Sequence, residues 1–278
     1  MPKPLISVVV STYNEQKNIS ACLRSISKQS YRNIEVIVVD SLRSTDKTAF
    51  IAKKMGMRVY KFGLERSQQR NYGVKKAKGK YVLVVDADMK LEKTVIEECA
   101  SISNSDSEIV GIIIPEKSFG NSYWAKCKAL EKNCYFGDDR IEAARFYLRK
   151  VYLSSGGYNP KMISGEDWNL NNRIKNLGKI SRINSFILHN EGNLTLLEDL
   201  KKKYYYAQNA GEYLASNIKG PGDVVYFLFR PAFLRNWRQL LIDPIHLVGL
   251  VVMKTLEFAV GGLGILLQFF HNSRTNID

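Results

Sequence analysis

The sequence predicts an α/β protein built on a mostly parallel sheet with helices on both faces. Two observations carry this. Near-continuous Val/Ile runs, "SVVVS", "EVIVV" and "YVLVV", are what strands buried on both faces look like, and amphipathic helical patterns separate them, as in a βαβ succession. A third observation concerns chemistry. The runs end in polar or acidic groups, "STYNE", "DS" and "DAD", at the carboxyl edge where ligands bind in such sheets.

Taken in order, "LISVVVSTYNE" is a β-branched strand closed by polar residues, and "KNISACLRSISKQS" spaces its apolar residues for a helix, with Asn14 or Glu15 near its start. "NIEVIVVDS" repeats the strand, "TDKTAFIAKKMG" the helix with a glycine stop, and "RVYKF" gives a short third strand. "ERSQQRNYGVKKAKG" reads as a helix leading into the strand "YVLVVDAD". The lysines of "KKAKG" read as a solvated face.

Composition bounds the function. The 278 residues, 45% hydrophobic, suffice for a sizeable core, and the net charge of +14 suits polyanions such as nucleotide phosphates or an anionic membrane surface. Nucleic acid is set aside, because no helix-turn-helix, RNP or zinc-finger pattern is present. Cys22, Cys99, Cys127 and Cys134 form no CxxC pair and read as reduced, structural residues. The N-terminal apolar run is too short for a signal peptide, so the folded part is expected in the cytosol.

The strand ends then read as one site. Asn14 and Glu15, Asp40, and Asp86 with Asp88 arrive at the same edge. Two carboxylates one residue apart repel unless a cation lies between them. Oxygen-rich surroundings suit Mg²⁺ or Mn²⁺, which keep positions open for phosphate oxygens.

In this order and spacing, "ISVVVSTYNE", "IEVIVVDS", "ERSQQRN" and "VVDADM" resemble the nucleotide-sugar half of the family 2 glycosyltransferases, with their Rossmann-like GT-A fold, and "GGYNP" and "GEDWNLNNRI" resemble the acceptor half. The resemblance covers residues 5 to 190. It implies an inverting transfer of a sugar from a UDP- or GDP-linked donor to an acceptor hydroxyl. Thr12, Tyr13 and Glu15 would line the base and ribose pocket, Asp40 would accept a hydrogen bond from the base, and Arg70 would face the base or diphosphate. Asp86 would lie near ribose and metal, and Asp88 would bind the metal directly. Asp167 would be the general base, supported by Glu166. His189 is a candidate third metal ligand, with Glu191 beside it to orient it. One departure stands out: the second strand ends in "DSLRSTD" without the glycine of the family's D-G-S-x-D pattern, so no role is carried to Asp46. Blander readings compete, with Asp40 as a helix cap and Glu166 and Asp167 as first-turn residues favoured by the helix dipole.

Residues 1–220 are expected to form the catalytic domain, 1–115 its nucleotide-sugar half and 116–220 its acceptor half. Residues 221–278 change character: "VVYFLF", "RPAFLRNWRQLLI" and the apolar stretch from Asp243 predict helices associated with a membrane. Lys254 and Glu257 interrupt the last stretch, which favours an interfacial helix or hairpin over a span. Arg230, Arg235, Arg238 and the run Lys201 to Lys203 are expected to face anionic lipid. The expected setting is the cytoplasmic side of the membrane, peripheral or monotopic, with a lipid-linked or glycolipid acceptor. Two alternatives are a phosphatase of the haloacid dehalogenase type, which also uses an aspartate-rich strand end, and an inactive nucleotide-binding membrane scaffold. Helices that pack on the domain or on another copy compete with the membrane reading.

Overall fold

The computed structural model describes residues 3–208, 220–223, 226 and 230–275; most of "VVYFLF" lies outside them. The chain divides into two compact units, Met1–Lys117 with Asp139–Pro160 and Glu166–His189, and Ser118–Asp138 with Lys161–Gly165 and Asn190–Asp278. Thus 118–138 and the segment after 190 group with the C-terminal helices.

The first unit begins as expected: β1 (Ile6–Thr12), α1 (Ile19–Ser27), β2 (Ile34–Asp40), α2 (Thr48–Lys54), β3 (Arg58–Lys61), α3 (Arg66–Lys76) and β4 (Tyr81–Asp86). It continues through β5 (Met89–Leu91), α4 (Val95–Ser105), β6 (Ile109–Ile113) and β7 (Glu116–Phe119). After α5 (Tyr123–Asn133) come β8 (Phe146–Leu148), α6 (Arg149–Ser154), α7 (Glu166–Lys175), β9 (Lys179–Arg182), β10 (Ile187–Asn190) and α8 (Leu196–Gln208). Seven strands form the main sheet in the order β3-β2-β1-β4-β8-β6-β9, and only β8 runs against the rest.

Side chains alternate across a strand, so each Val/Ile run feeds two cores. Val8, Val10, Val38, Leu83 and Val85 pack with α1 and α4 on one face. Val9, Ile37, Val39, Val82 and Val84 pack with Val74, Leu170 and Ile174 on the other. Every buried side chain of this size contributes about 1.5–3 kcal/mol, and that burial fixes the register. Register in turn places the polar ends: Thr12 pairs with Asp40, and Ser11 with Asp86.

The second unit is helical. α5, α8 and the helix Pro244–Thr275 enclose Cys127, Leu250 and Met253, flanked by Trp124, Leu130, Leu196 and Leu240. The structure corrects the tail in two respects. Pro244–Thr275 is one continuous helix of 32 residues, not a hairpin. Lys254 and Glu257 do not interrupt its outer surface, because both point inward: Lys254 Nζ donates to Glu131 (2.9 Å) and Glu257 (2.6 Å), and Lys128 Nζ donates to Glu257 (2.8 Å). Lys203 and Arg230, expected to face lipid, join the same cluster at Glu257 and Glu131. Charges that leave water need partners, and these supply one another. The outward face of the helix carries Ile245, Val248, Val251, Val252, Phe258, Leu263, Leu266 and Leu267, all exposed. By length and composition, Pro244–Leu267 is long and apolar enough to cross a membrane.

Candidate active site

The carboxyl ends of β1, β2 and β4 deliver the expected groups. Asp40 is buried and Oδ1 accepts hydrogen bonds from Thr12 Oγ1 (2.8 Å) and Ser44 Oγ (2.7 Å). It does not cap the following helix. Asp46 instead braces the approach to α2, its oxygens accepting from the Thr48 backbone N–H (2.9 Å), the Thr48 hydroxyl (2.6 Å) and the Gln16 N–H (2.9 Å). The loop without the family's glycine is held by these bonds and by Asn14, which takes a left-handed φ of 54° while its Oδ1 accepts from Thr45 N. Tyr13 is exposed, with the Arg43 guanidinium 5.9 Å from its ring centre. Glu15 lies close by. Burial pushes its carboxyl up to about 7 against the pull of Asn18, and the negative charges of Asp88, Asp86 and Asp46 add to the rise.

Arg70 requires a correction. It was expected to face the base or diphosphate, yet its side chain is fully buried. α3 sits close enough to the sheet for this because of Gly73, where a Cβ would stand 2.3 Å from Val9 Cγ1. Arg70 Nη2 donates to both oxygens of Asp86 at 2.8 Å, and Nη1 donates to Asp167 Oδ1 at 3.0 Å. Tyr158 of "GGYNP" stacks over the guanidinium at 4.9 Å. Asn71 anchors that loop by donating to the Tyr158 carbonyl (2.8 Å) and accepting from its N–H (2.9 Å). Arg70 is therefore a positioning residue beneath the site.

Asp86 is corrected with it. Besides Arg70, it accepts from Ser11 Oγ (3.0 Å) and lies 3.6 Å from Arg145 Nη1. Burial favours its neutral form, but Arg70, Arg145 and Arg66 outweigh this and hold the carboxyl far below the usual range. With both oxygens on guanidinium, Asp86 is not placed as a metal ligand. The cation that lets the two aspartates of "DAD" lie together is, for Asp86, the protein's own arginine.

Asp88 takes the other direction. β5 pairs antiparallel with β10, setting His189 opposite Met89. His189 Nε2 lies 3.3 Å from Asp88 Oδ2, and Nδ1 lies 3.1 Å from Glu116 Oε2. Glu116 thus orients the imidazole; Glu191 instead bonds Ser118 Oγ (2.9 Å) and Lys132 Nζ (2.7 Å). A proton on Nδ1 toward Glu116 leaves the Nε2 lone pair beside Asp88, the arrangement metal-ligating histidines use. Asp88 Oδ1 is buried without a hydrogen-bond partner, which fits a divalent cation. No group of three or more His, Cys, Asp or Glu side chains among the described residues could hold an ion. Asp88 and His189 would supply two ligands, with water or phosphate oxygens completing the shell.

At the start of α7, Asp167 is partly exposed, and Glu166 is buried against Arg66 (2.6 Å) with Arg70 3.6 Å away. Burial raises the Glu166 carboxyl, Arg66 and Arg70 lower it, and Asp167 raises it. Sequence reasoning missed Glu116 and Arg145, which pair at 2.5 Å. A signal was present for Glu116, since "IIIPE" ends an apolar run in a carboxylate just as "VVD" does.

A mostly parallel sheet that gathers these groups at its carboxyl edge is, with the neighbours described next, the architecture of the GT-A fold. The chain belongs to glycosyl transferase family 2, whose sequence model matches residues 7–154. This membership replaces the phosphatase alternative. Glycosyltransferase GlyG of Streptococcus pneumoniae is 36% identical over 43% of this chain and 43% of its own length. Poly(ribitol-phosphate) beta-N-acetylglucosaminyltransferase TarS of Staphylococcus aureus is 27% identical over 78% of this chain and 38% of its own. The chain thus spans less than half the length of these relatives. The structure of TarS 1-349 in complex with UDP superposes with a TM-score of 0.55 at 19% identity, covering 82% of this chain and 71% of that one. Mannosyltransferase PcManGT of Pyrobaculum calidifontis, in complex with GDP-Man and Mn²⁺, gives 0.55 at 17% identity over 100% and 81%. At such identities the likeness concerns the fold.

Proposed function

We propose that this chain transfers a sugar from a nucleoside diphosphate donor to an acceptor hydroxyl with inversion, assisted by Mg²⁺ or Mn²⁺, at the cytoplasmic face of a membrane. The observation that carries this reading is the link from Asp167 through Arg70 to Asp86, which ties the base to the donor edge of the sheet. Thr12, Tyr13, Glu15 and Asp40 line the nucleoside end. Asp88 and His189 would hold the ion, which supplies neutralisation of the charge on the departing diphosphate. Asp167 removes the acceptor proton; Arg70 fixes one of its oxygens, while Glu166 with Arg66 packs beneath. Arg145 and Glu116 hold Asp86 and His189 in register.

The membrane part rests on the uncharged outer face of Pro244–Leu267 and on the net charge of +14. Arg238 stacks on exposed Trp237 at 5.6 Å, a pairing suited to headgroup depth. An acceptor whose tail stays in the bilayer, such as a polyprenyl phosphate or a glycolipid, follows from that placement. Asp167→Asn tests the chemistry. The amide is nearly isosteric but a poor base, so kcat should fall by about 10²-fold or more with donor affinity near normal. Loss confined to donor affinity would move the base elsewhere.

A further inference from the structure

A cleft of about 800 Å³ opens in the catalytic unit away from every residue given a role above. Its place follows from the strand ends. Glu108 precedes β6, Gly178 precedes β9, and Leu148 closes the antiparallel β8 opposite Tyr81, the first residue of β4. The cleft therefore lies at the amino edge of the sheet. The six residues of β4, roughly 17 Å of strand, separate that edge from Asp86. The floor is apolar: Val110 is buried, and Leu148, Val151 and Ile180 are half-buried. Gly178 keeps the connection between α7 and β9 down on Val110, because a Cβ there would stand 2.6 Å from Val110 Cγ1. Lysines form the rim. Lys179 is engaged by Glu108 (2.5 Å) and Asp106 (3.4 Å), but Lys150 of α6 and Lys175 of α7 make no ion pair among the described residues. Leu177, on the same rim, is 52% exposed.

The geometry points to a docking site for an acidic segment of a partner protein, with an apolar side chain entering the cleft and carboxylates set toward Lys150 and Lys175. An apolar floor with a cationic rim selects an occupant that is apolar and anionic at once. A nucleic acid backbone brings the charge without the apolar side chain. A second copy of this chain brings the same net charge of +14, which opposes association. An anionic bilayer offers both properties, and the choice against it rests on the membrane reading proposed above. An acceptor held in the bilayer must reach Asp167, which Arg70 ties to Asp86 at the carboxyl edge. That turns the amino edge, and the cleft with it, toward the cytosol.

Fluorescence anisotropy of the full chain with three labelled heptapeptides tests this: one alternating glutamate with leucine, one all glutamate, and one alternating lysine with leucine. The glutamate-leucine peptide should bind tightest. Lys150→Glu combined with Lys175→Glu should weaken it by about tenfold or more, since two attractions become repulsions. Lys53→Glu combined with Lys54→Glu changes the net charge equally on the exposed end of α2 and should leave binding near the wild-type value. Leu177→Ser should cost about threefold, the share of an apolar contact. Nucleotide binding should be unchanged in all three variants, and its absence from the wild type would sink the donor reading while leaving the cleft result to stand. No binding of the glutamate-leucine peptide, equally tight binding of the all-glutamate peptide, or an equal loss in the Lys53/Lys54 control overturns the docking site. Flotation with phosphatidylglycerol vesicles should survive the Lys150/Lys175 reversal; its loss would give the cleft to the bilayer and likewise overturn the proposal.

Discussion

Replacing Arg70 by methionine should cost more stability than any other single change in the catalytic unit that preserves side-chain volume. The guanidinium is fully buried and holds Asp86 by two 2.8 Å bonds and Asp167 by one of 3.0 Å, with Glu166 3.6 Å away. Removing one partner of a buried ion pair costs about 3–5 kcal/mol, because the other charge is left uncompensated. Asp86 and Asp167 retain 21% and 31% side-chain exposure, so water recovers part of the loss and about 3 kcal/mol is expected. The pH dependence carries a second signature. Burial works to raise the Asp86 carboxyl, but Arg70, Arg145 and Arg66 depress it below its ordinary 3.8. A depressed folded pKa contributes stability above the unfolded value that is lost as pH falls. The deficit of Arg70→Met should therefore be full at pH 7 and shrink below about pH 4. Arg70→Lys keeps a charge but has no fork to reach both aspartates, and should recover less than half. Urea unfolding followed by circular dichroism between pH 3 and 8 measures all three. A deficit in Arg70→Met below about 1 kcal/mol, or one that does not change with pH, would refute the account.

Glu116→Gln should weaken Mn²⁺ binding by about tenfold or more without abolishing it, whereas Asp88→Asn should remove it, both read from the electron paramagnetic signal of free Mn²⁺. Equal affinity in Glu116→Gln would show that the imidazole needs no orienting carboxylate. Glu15 titrates near 7 instead of 4.5, so ionising it opposes folding and stability falls as pH rises through that window. Glu15→Gln should be up to about 3 kcal/mol more stable than the parent at pH 8 and little different at pH 4. A parallel offset at both pH values would mean that the carboxyl is not the source. Finally, Val251→Asp with Leu263→Asp charges the outer face of the C-terminal helix but not its packed face; flotation with anionic liposomes should be lost while nucleotide binding persists. Unchanged flotation would assign the stripe to a second copy or to no partner.

How much of this was legible depended on what each residue's neighbours in sequence could reveal. β1, β2 and β4 were readable because a strand buried on both faces must be apolar at nearly every position, and their polar ends then stood out. Arg70 was placed toward the base or diphosphate, because nothing in "ERSQQRN" marks its arginine as buried; only Gly73 and the close approach of α3 put the guanidinium under the sheet. Glu116 and Arg145 lie in short segments with weak periodicity, and their roles exist only through pairings across the fold. Lys254 and Glu257 misled for a related reason. Counting charges along a helix ignores which face bears them, and both occupy the packed face, three residues apart.

The ion-pair chain also bears on the metal. Starting at Asp167 it alternates in sign through Arg70, Asp86, Arg145 and Glu116 to His189 and Asp88, with Glu166 and Arg66 as a branch. Five carboxylates in this chain face three guanidiniums, an excess of two negative charges when His189 is neutral. The excess is not evenly spread. The guanidiniums serve Asp86, Asp167, Glu166 and Glu116, while Asp88 lies against the imidazole and keeps one buried oxygen without a hydrogen-bond partner among the described residues. A divalent cation at Asp88 would cancel the excess where it is concentrated. It would also relieve part of the repulsion that helps keep the nearby Glu15 protonated near neutral pH. Metal binding should thus lower the Glu15 pKa and release a fraction of a proton near pH 7, a linkage that calorimetry in buffers of different ionisation enthalpy detects and that Glu15→Gln should abolish.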